Sequence, residues 1–135
     1  MAQMTVNYLG DLRTEAIHHK SGNKFITDAP PDNNGKGEAF SPSDTVCVAL
    51  ASCMITIMGI VARRENLDIK GLKADIIKVM TQEPRRIAEI QINFVMPDTL
   101  ALSDKQKQVL QRAAHTCPVA LSLHPEIKQL VTFTF

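Results

Sequence analysis

The chain has 135 residues, of which 44% are hydrophobic and 21% charged, with a net charge of +1 and no tryptophan. This composition suits one globular domain and excludes disorder, while the small net charge argues against nucleic-acid binding driven by electrostatics. Three cysteines without a C-x-x-C spacing, after an N-terminus that lacks the pattern of a secretory signal, indicate reduced thiols in the cytoplasm. We therefore predict a single cytoplasmic domain over residues 1–135 with no nucleic-acid partner.

The first part of the chain has the alternation of a small set of strands. The runs 4–9 and 12–18 flank Gly10 and Asp11, and this order predicts a hairpin with a type II′ turn. Within the second run, Arg13 and Ile17 alternate onto the same face. A third strand is expected over 24–29, and the prolines, asparagines and glycines of 30–37 predict a loop within the domain.

A long apolar helix is predicted to begin at about Pro42. Ser41 is suited to cap it, Pro42 to open it and Asp44 to interact with its dipole. No charged residue occurs between Val46 and Ala62, and apolar side chains lie on every side of this segment. A helix of this kind is enclosed on all sides.

The same helix approaches the length of a membrane span. Three features favour a buried helix of a soluble domain instead: polar and small residues within it, small alanines along it, and flanks with the pattern of ordinary strands and turns. The polar and small residues are Ser52, Thr56 and Gly59. We therefore predict no membrane partner.

The second half of the chain completes the predicted fold. Two strands over 72–82 and 85–96 form a hairpin, and the second alternates an apolar face with a polar one. An amphipathic helix is predicted from Ser103 to Cys117, where Pro118 ends it or starts a further turn. A last strand covers 128–135. The sum is an α+β fold, in which an antiparallel sheet packs on a long buried central helix and a second amphipathic helix.

Cysteines offer the main candidate chemistry. Cys53 in the apolar helix and Cys117 at the end of the second helix both fit the role of small core side chains. A reactive role needs a thiolate, and because apolar surroundings raise the pKa of a thiol, it needs a cation near Cys53. Arg13 is the best candidate cation, with Glu38 or Asp44 orienting it through a bidentate pair. The alternative for these three charged residues is an ordinary surface ion pair.

Other chemistries have little support in the sequence. His115, Cys117 and His124 offer metal ligands, but they lack the tight paired spacing and the fourth ligand of a zinc site. No Gly-rich phosphate loop, G-x-S-x-G elbow or H-E-x-x-H motif occurs. We predict neither a metal nor a cofactor.

Two segments resemble the OsmC/Ohr family of thiol peroxidases, which comprises osmotically inducible protein C and the organic hydroperoxide resistance proteins. They are FSPSDTVCVALASCMITIM around Cys53 and HTCPVALSLHP around Cys117. The resemblance covers nearly the whole chain and implies an intertwined homodimer with its sites at the subunit interface. It also implies that Cys53 is the peroxidatic cysteine and Cys117 the resolving one. An organic hydroperoxide would be the substrate, and a dithiol of the lipoyl type the reductant, in a response to oxidative stress.

The sequence departs from the family pattern at the start of the helix. Ser43 stands where the well-studied branches have an acidic residue directly after the proline, and Asp44 follows one position later. This departure indicates a divergent OsmC-like branch and leaves open whether Glu38 or Asp44 is the acidic partner of Arg13. The predicted function is thiol-dependent reduction of organic hydroperoxides. The alternatives are a non-enzymatic protein that binds a small hydrophobic ligand and a thiol redox sensor without turnover.

Overall fold

The computed structural model describes residues 1–135, and their internal contacts divide them into two compact units, Met1–Val46 and Cys47–Phe135. The predicted α+β class is confirmed. In chain order the elements are β1 (Met4–Gly10), β2 (Arg13–His18), β3 (Lys24–Asp28), α1 (Pro42–Arg64), β4 (Lys73–Thr81), β5 (Arg86–Val95), α2 (Asp104–Ala114), α3 (Pro118–Ser122) and β6 (Lys128–Thr134). The single-domain organisation stays a prediction.

The first unit contains an antiparallel sheet with the strand order β1, β2, β3. Gly10 pairs with Arg13, so the turn residues are Asp11 and Leu12, whose φ angles are 53° and 61°. Two consecutive positive φ angles define a type I′ turn, and the predicted type II′ turn is wrong. The reason is an irregularity between Tyr8 and Gly10 that shifts the register by one residue.

The loop after β3 folds back onto the end of that strand. The N–H of Gly37 donates to the carbonyl of Ala29 at 3.1 Å, and the N–H of Asp28 donates to the carbonyl of Phe40 at 3.0 Å. At Gly35 a Cβ atom would lie 1.8 Å from the carbonyl oxygen of Ala29, so only glycine fits there. These contacts fix the loop beside the end of β3.

Helix α1 begins at Pro42 as predicted. The N–H of Ser41 donates to the carboxylate of Asp44 at 2.9 Å, and the N–H of Asp44 donates to the Ser41 hydroxyl at 3.1 Å. This reciprocal capping box satisfies two donors that the first helical turn leaves without partners. The Asp44 side chain therefore caps the N-terminus of α1.

One side of α1 contributes to the core of the second unit, in a cluster with β5 and α2. The fully buried side chains of α1 include Leu50, Met54 and Met58. On the other side, Val48 is 39% and Ile60 is 45% exposed. The prediction of a helix enclosed on all sides is therefore wrong for the single chain, because the sheet and α2 cover one side only.

By length and composition alone, α1 could cross a membrane, since a window within it has a mean hydropathy of 2.3. One third of that window, 33%, is buried inside the protein. Core helices of soluble proteins meet the same criterion, and the packing of the buried side chains explains their apolar character. The absence of a membrane partner stays a prediction.

The sheet of the second unit has the strand order β4, β5, β6. β4 and β5 are antiparallel, as predicted, whereas β6 runs parallel to β5. The prediction of one antiparallel sheet is therefore wrong in this pairing and in the number of sheets, which is two. A parallel neighbour requires a crossover connection, and α2 and α3 supply it. The apolar face of β5 is confirmed by the burial of Ile90, Ile92 and Phe94.

Candidate functional site

The structure brings Cys53 and Cys117 together in the second unit. Cys53 is half-buried on α1, and Cys117 is completely buried between α2 and α3. Both side chains are free thiols, and the Cys53 sulfur lies close enough to Cys117 to raise the pKa of its thiol. Two neighbouring thiols are the arrangement from which a disulfide forms on oxidation.

Local sequence explains why Cys117 lies at this point. α2 ends at Ala114, three residues earlier than predicted, and Cys117 has the extended φ and ψ angles of −70° and 142°. Pro118 suits the first position of α3, and the Cys117 sulfur caps this short helix by accepting a hydrogen bond from the N–H of Ala120 at 3.3 Å. The further turn predicted at Pro118 is thus α3.

The surroundings raise the pKa of Cys117 above its ordinary value. Burial is the main cause, because it disfavours the thiolate, and the neighbouring Cys53 sulfur raises this pKa further. Hydrogen bonds from the N–H groups of Ala120 and Val119 act in the opposite direction. The net effect disfavours the thiolate form of Cys117.

Arg13, in the first unit, forms a bidentate pair with Asp28. Its Nε and Nη2 atoms lie 2.7 and 2.8 Å from the two carboxylate oxygens of Asp28. Glu38 makes a single contact of 3.5 Å with Nη2, and its side chain is 67% exposed. The predicted bidentate partners are therefore wrong: Asp28 holds the guanidinium, Glu38 is a peripheral contact, and Asp44 belongs to the helix cap.

Asp28 is a buried acid that the sequence analysis missed. Its hydrogen bond with Arg13 holds the pKa of the carboxyl below its usual range against the opposing effect of burial, and the N–H of Glu38 adds a hydrogen bond at 3.1 Å. The same pair raises the pKa of Arg13. Counting strand register would have found this pair, because Arg13 lies directly opposite Asp28 between β2 and β3.

The residues weighed as metal ligands do not form a metal site. No group of three or more His, Cys, Asp or Glu side chains has a suitable arrangement. His124 Nδ1 accepts a hydrogen bond from the N–H of Glu126 at 3.1 Å, and the sulfur of Cys117 contacts Ala120 and Cys53.

The first unit also has an open groove of about 640 Å³. Two aromatic side chains in its lining, Phe25 and Phe40, are 56% and 58% exposed. The lining also includes Glu38 and Asp44. A groove of this volume and apolar character is within the range of small-molecule sites.

Comparison with known proteins identifies the family. Residues 35–130 match the family model described as OsmC-like protein. A solved structure from Psychrobacter arcticus 273-4, described as a proposed osmotic stress induced and detoxification response protein, is 50% identical. The alignment covers 98% of this chain and 96% of that chain, with a TM-score of 0.94. The chain belongs to the OsmC-like protein family, as the sequence analysis predicted.

More distant solved structures share the fold. An organic hydroperoxide resistance protein OsmC from Legionella pneumophila is 14% identical, with a TM-score of 0.73 over 98% of this chain and 95% of that chain. An organic hydroperoxide resistance protein from Elizabethkingia anophelis is also 14% identical, with a TM-score of 0.71 over 97% and 93% of the two chains. Among curated proteins, none matches at a significant level.

Proposed function

We propose that this protein reduces organic hydroperoxides through Cys53 and Cys117. The observation that carries the proposal is the proximity of the two thiols: Cys117 is completely buried, Cys53 is half-buried, and the Cys53 sulfur lies close enough to raise the pKa of Cys117. Cys117, whose thiol has the raised pKa, is suited to the role of resolving thiol. Half-buried Cys53 is the sulfur that a peroxide can reach. Fold relatives described as organic hydroperoxide resistance proteins support the choice of substrate.

The proposed reaction has two steps on the protein. The Cys53 thiolate attacks the hydroperoxide and the O–O bond breaks, which leaves a sulfenic acid on Cys53 and an alkoxide that takes a proton from water to become the alcohol. The sulfur of Cys117 then attacks the sulfenic acid, so that an S–S bond forms, the S–O bond breaks and water leaves. The peroxide is reduced by two electrons, and the two thiols are oxidised to a disulfide.

A dithiol reductant completes the cycle. One of its thiolates attacks the disulfide, and its second thiol displaces the protein sulfur, so both cysteines return to thiols and the reductant becomes a cyclic disulfide. We propose a dithiol of the lipoyl type for this step, as the family resemblance implies. No metal or cofactor takes part in the proposed cycle.

Arg13 is proposed as the cation that favours the Cys53 thiolate. Its bidentate pair with Asp28 fixes the guanidinium, which keeps its charge under all physiological conditions. Glu38 is proposed to assist Arg13 through its weaker contact. Replacement of Glu38 by Gln then lowers the peroxidase rate modestly, and an unchanged rate would remove Glu38 from the site.

We also propose that the protein works as a cytoplasmic homodimer. Support for the dimer comes from the uncovered side of α1, where Val48 and Ile60 remain exposed. Large apolar side chains exposed on a long helix mark an interaction surface, and the exposed residues between them, which include Ser52 and Thr56, are small. The intertwined arrangement follows the family resemblance.

Peroxide consumption with a dihydrolipoyl donor tests the proposed function. We expect Cys53→Ser to abolish turnover and Cys117→Ser to stop the cycle after one reduction, because no disulfide can form. Mass spectrometry of the wild-type protein after peroxide treatment should show a disulfide between Cys53 and Cys117. Cys47→Ala is the matched control and should retain turnover. Wild-type protein that consumes no peroxide would overturn the proposal.

A second candidate is a non-enzymatic protein that binds a small hydrophobic ligand. The groove with exposed Phe25 and Phe40 favours this candidate. Native mass spectrometry of the purified protein would show a retained ligand. A Phe40→Ser variant should lose that ligand if the groove holds it. A redox sensor without turnover would instead form the disulfide but fail to be recycled by the dithiol.

A further inference from the structure

Strand β6 carries one polar side chain among those that face the core. Val131 and Phe133 pack against the apolar cluster, and Gln129 lies on the same face, two residues before Val131. Gln129 pairs in register with Ile90, which is fully buried. The alternation of the strand favours an apolar residue at this position, and a half-buried amide there requires a hydrogen-bond partner.

The partner of this amide is the backbone of α3. Nε2 of Gln129 donates to the carbonyl oxygen of Ala120 at 3.1 Å. Helix α3 has five residues, which are too few to provide helical partners for the carbonyl groups at its end. Gln129 therefore satisfies a carbonyl that the short helix leaves open.

Ala120 is held at both of its polar backbone groups. Its carbonyl accepts the hydrogen bond from Gln129, and its N–H donates to the sulfur of Cys117 at 3.3 Å. The same sulfur lies close enough to Cys53 for the Cys53 sulfur to raise its pKa. Hydrogen bonds thus connect Gln129, through one residue of α3, to the sulfur of Cys117.

We propose that Gln129 is a positioning residue for disulfide formation. By fixing Ala120 it holds the Cys117 sulfur where this sulfur can attack the sulfenic acid on Cys53. The inference rests on the proposed function for that sulfenic acid. Gln129 touches neither sulfur, so its effect falls on the second step and leaves the attack on the peroxide unchanged.

Gln129→Met removes the donor while keeping the length and volume of the side chain. Loss of one neutral hydrogen bond is expected to slow disulfide formation by about fivefold. Quenched-flow alkylation and mass spectrometry after a stoichiometric amount of organic hydroperoxide would separate sulfenic acid formation from disulfide formation. The first step should proceed at the wild-type rate, and over-oxidation of Cys53 should increase because the sulfenic acid persists longer.

Gln129→Glu tests whether the hydrogen-bond donor itself is needed for disulfide formation. At neutral pH its carboxylate faces the Ala120 carbonyl without a proton to donate, so disulfide formation should be slower than in Gln129→Met. When the carboxyl is protonated at lower pH it regains a donor. The rate relative to the wild type at the same pH should then recover.

Gln91→Met is the matched control. Gln91 lies on β5, and its amide donates to Glu89 at 2.6 Å, away from α3. This variant should form the disulfide at the wild-type rate. Equal rates in Gln129→Met, Gln91→Met and the wild type would overturn the inference.

Diamide distinguishes failure of this inference from failure of the proposed function. This thiol oxidant removes two electrons and two protons from a thiol pair without a peroxide. If the wild type consumes no peroxide but Gln129→Met slows the diamide reaction between Cys53 and Cys117, the proposed function fails and the positioning role stands. If peroxide is consumed and neither reaction is slowed, the positioning role fails alone.

Discussion

At Cys117, burial and hydrogen bonding act against each other on the same sulfur. Burial and the Cys53 sulfur raise the pKa of the thiol, whereas the N–H groups of Ala120 and Val119 lower it, and the net direction is upward. A thiol with a raised pKa is a poor nucleophile toward solvent reagents. The site therefore distinguishes its two cysteines by environment.

Alkylation should follow this difference. At neutral pH we expect iodoacetamide to modify half-buried Cys53 first, while Cys117, which is fully buried, stays unmodified. Because the pKa of Cys117 is raised, its labelling should begin only at alkaline pH, above its ordinary titration range. Site-resolved mass spectrometry across a pH series measures both rates.

Cys53→Ala is the control for this experiment. It removes the neighbouring sulfur that raises the pKa of Cys117, so labelling of Cys117 should begin at a lower pH than in the wild type. Preferential labelling of Cys117 in the wild type at neutral pH would contradict the assignment of roles.

Part of the site could be predicted from the residue types in the sequence. Cys53 and Cys117 could be singled out by sequence, because each occupies a distinct place in a predicted helix or at its end. Asp28 could not be found from composition, because its partner is set by the register between β2 and β3. Gln129 was also missed, although a polar residue on the apolar side of the predicted last strand was a usable signal.

Between elements, the Arg13–Asp28 pair links strands β2 and β3. Since the pKa of Asp28 is lowered in the folded protein, its carboxylate stabilises the fold at pH values above the unfolded-state pKa of about 4. That contribution is lost as the pH falls through the lower folded-state pKa. The pair thus makes part of the fold sensitive to strong acid.

Asp28→Asn should lower the stability at neutral pH and reduce the loss of stability that occurs as the pH falls below about 4. Urea unfolding at a series of pH values measures both effects. Glu38→Gln is the matched control, because the exposed Glu38 carboxylate makes only one contact of 3.5 Å with Arg13. The loss of stability at low pH in this variant should be close to that of the wild type. If Asp28→Asn lost as much stability at low pH as the wild type, the stabilising role of the Arg13–Asp28 pair would be contradicted.

Helix α2 begins with a capping box. The N–H of Gln106 donates to the Ser103 hydroxyl at 3.1 Å, and the N–H of Ser103 donates to the Gln106 side chain at 2.9 Å. Ser103→Ala should destabilise the protein by about 1 kcal/mol. Urea unfolding would measure this change, and Ser103→Asp, which keeps a capping oxygen, should recover most of it.

Elements with local signals could be predicted from the sequence, and those set by distant pairing could not. The start of α1 follows from Ser41, Pro42 and Asp44, all within one turn. The turn at Asp11 and Leu12 differs from the prediction because an irregularity in β1 moved the register. The parallel pairing of β6 with β5 depends on the crossover through α2 and α3, which alternation within one strand does not report.

For the whole molecule, the uncovered side of α1 determines the expected assembly. Ile60→Glu places a charge on this side and should shift the homodimer toward monomer, because a charge buried in an apolar interface is costly. Size-exclusion chromatography with light scattering measures the mass. Ile77→Glu is the matched control, since Ile77 is 60% exposed on β4, and it should leave the mass unchanged. A monomeric wild type would contradict the proposed dimer.

The position of β6 in the chain has a consequence for synthesis on the ribosome. β4 and β5 can pair as soon as both have emerged, whereas the register that joins Glu89 to Lys128 must wait for all of α2 and α3. Pairings over such separations form late. A nascent polypeptide therefore contains both cysteines before it contains β6, and on the proposed role of Gln129 it gains its mature thiol arrangement only after translation of residues 128–134.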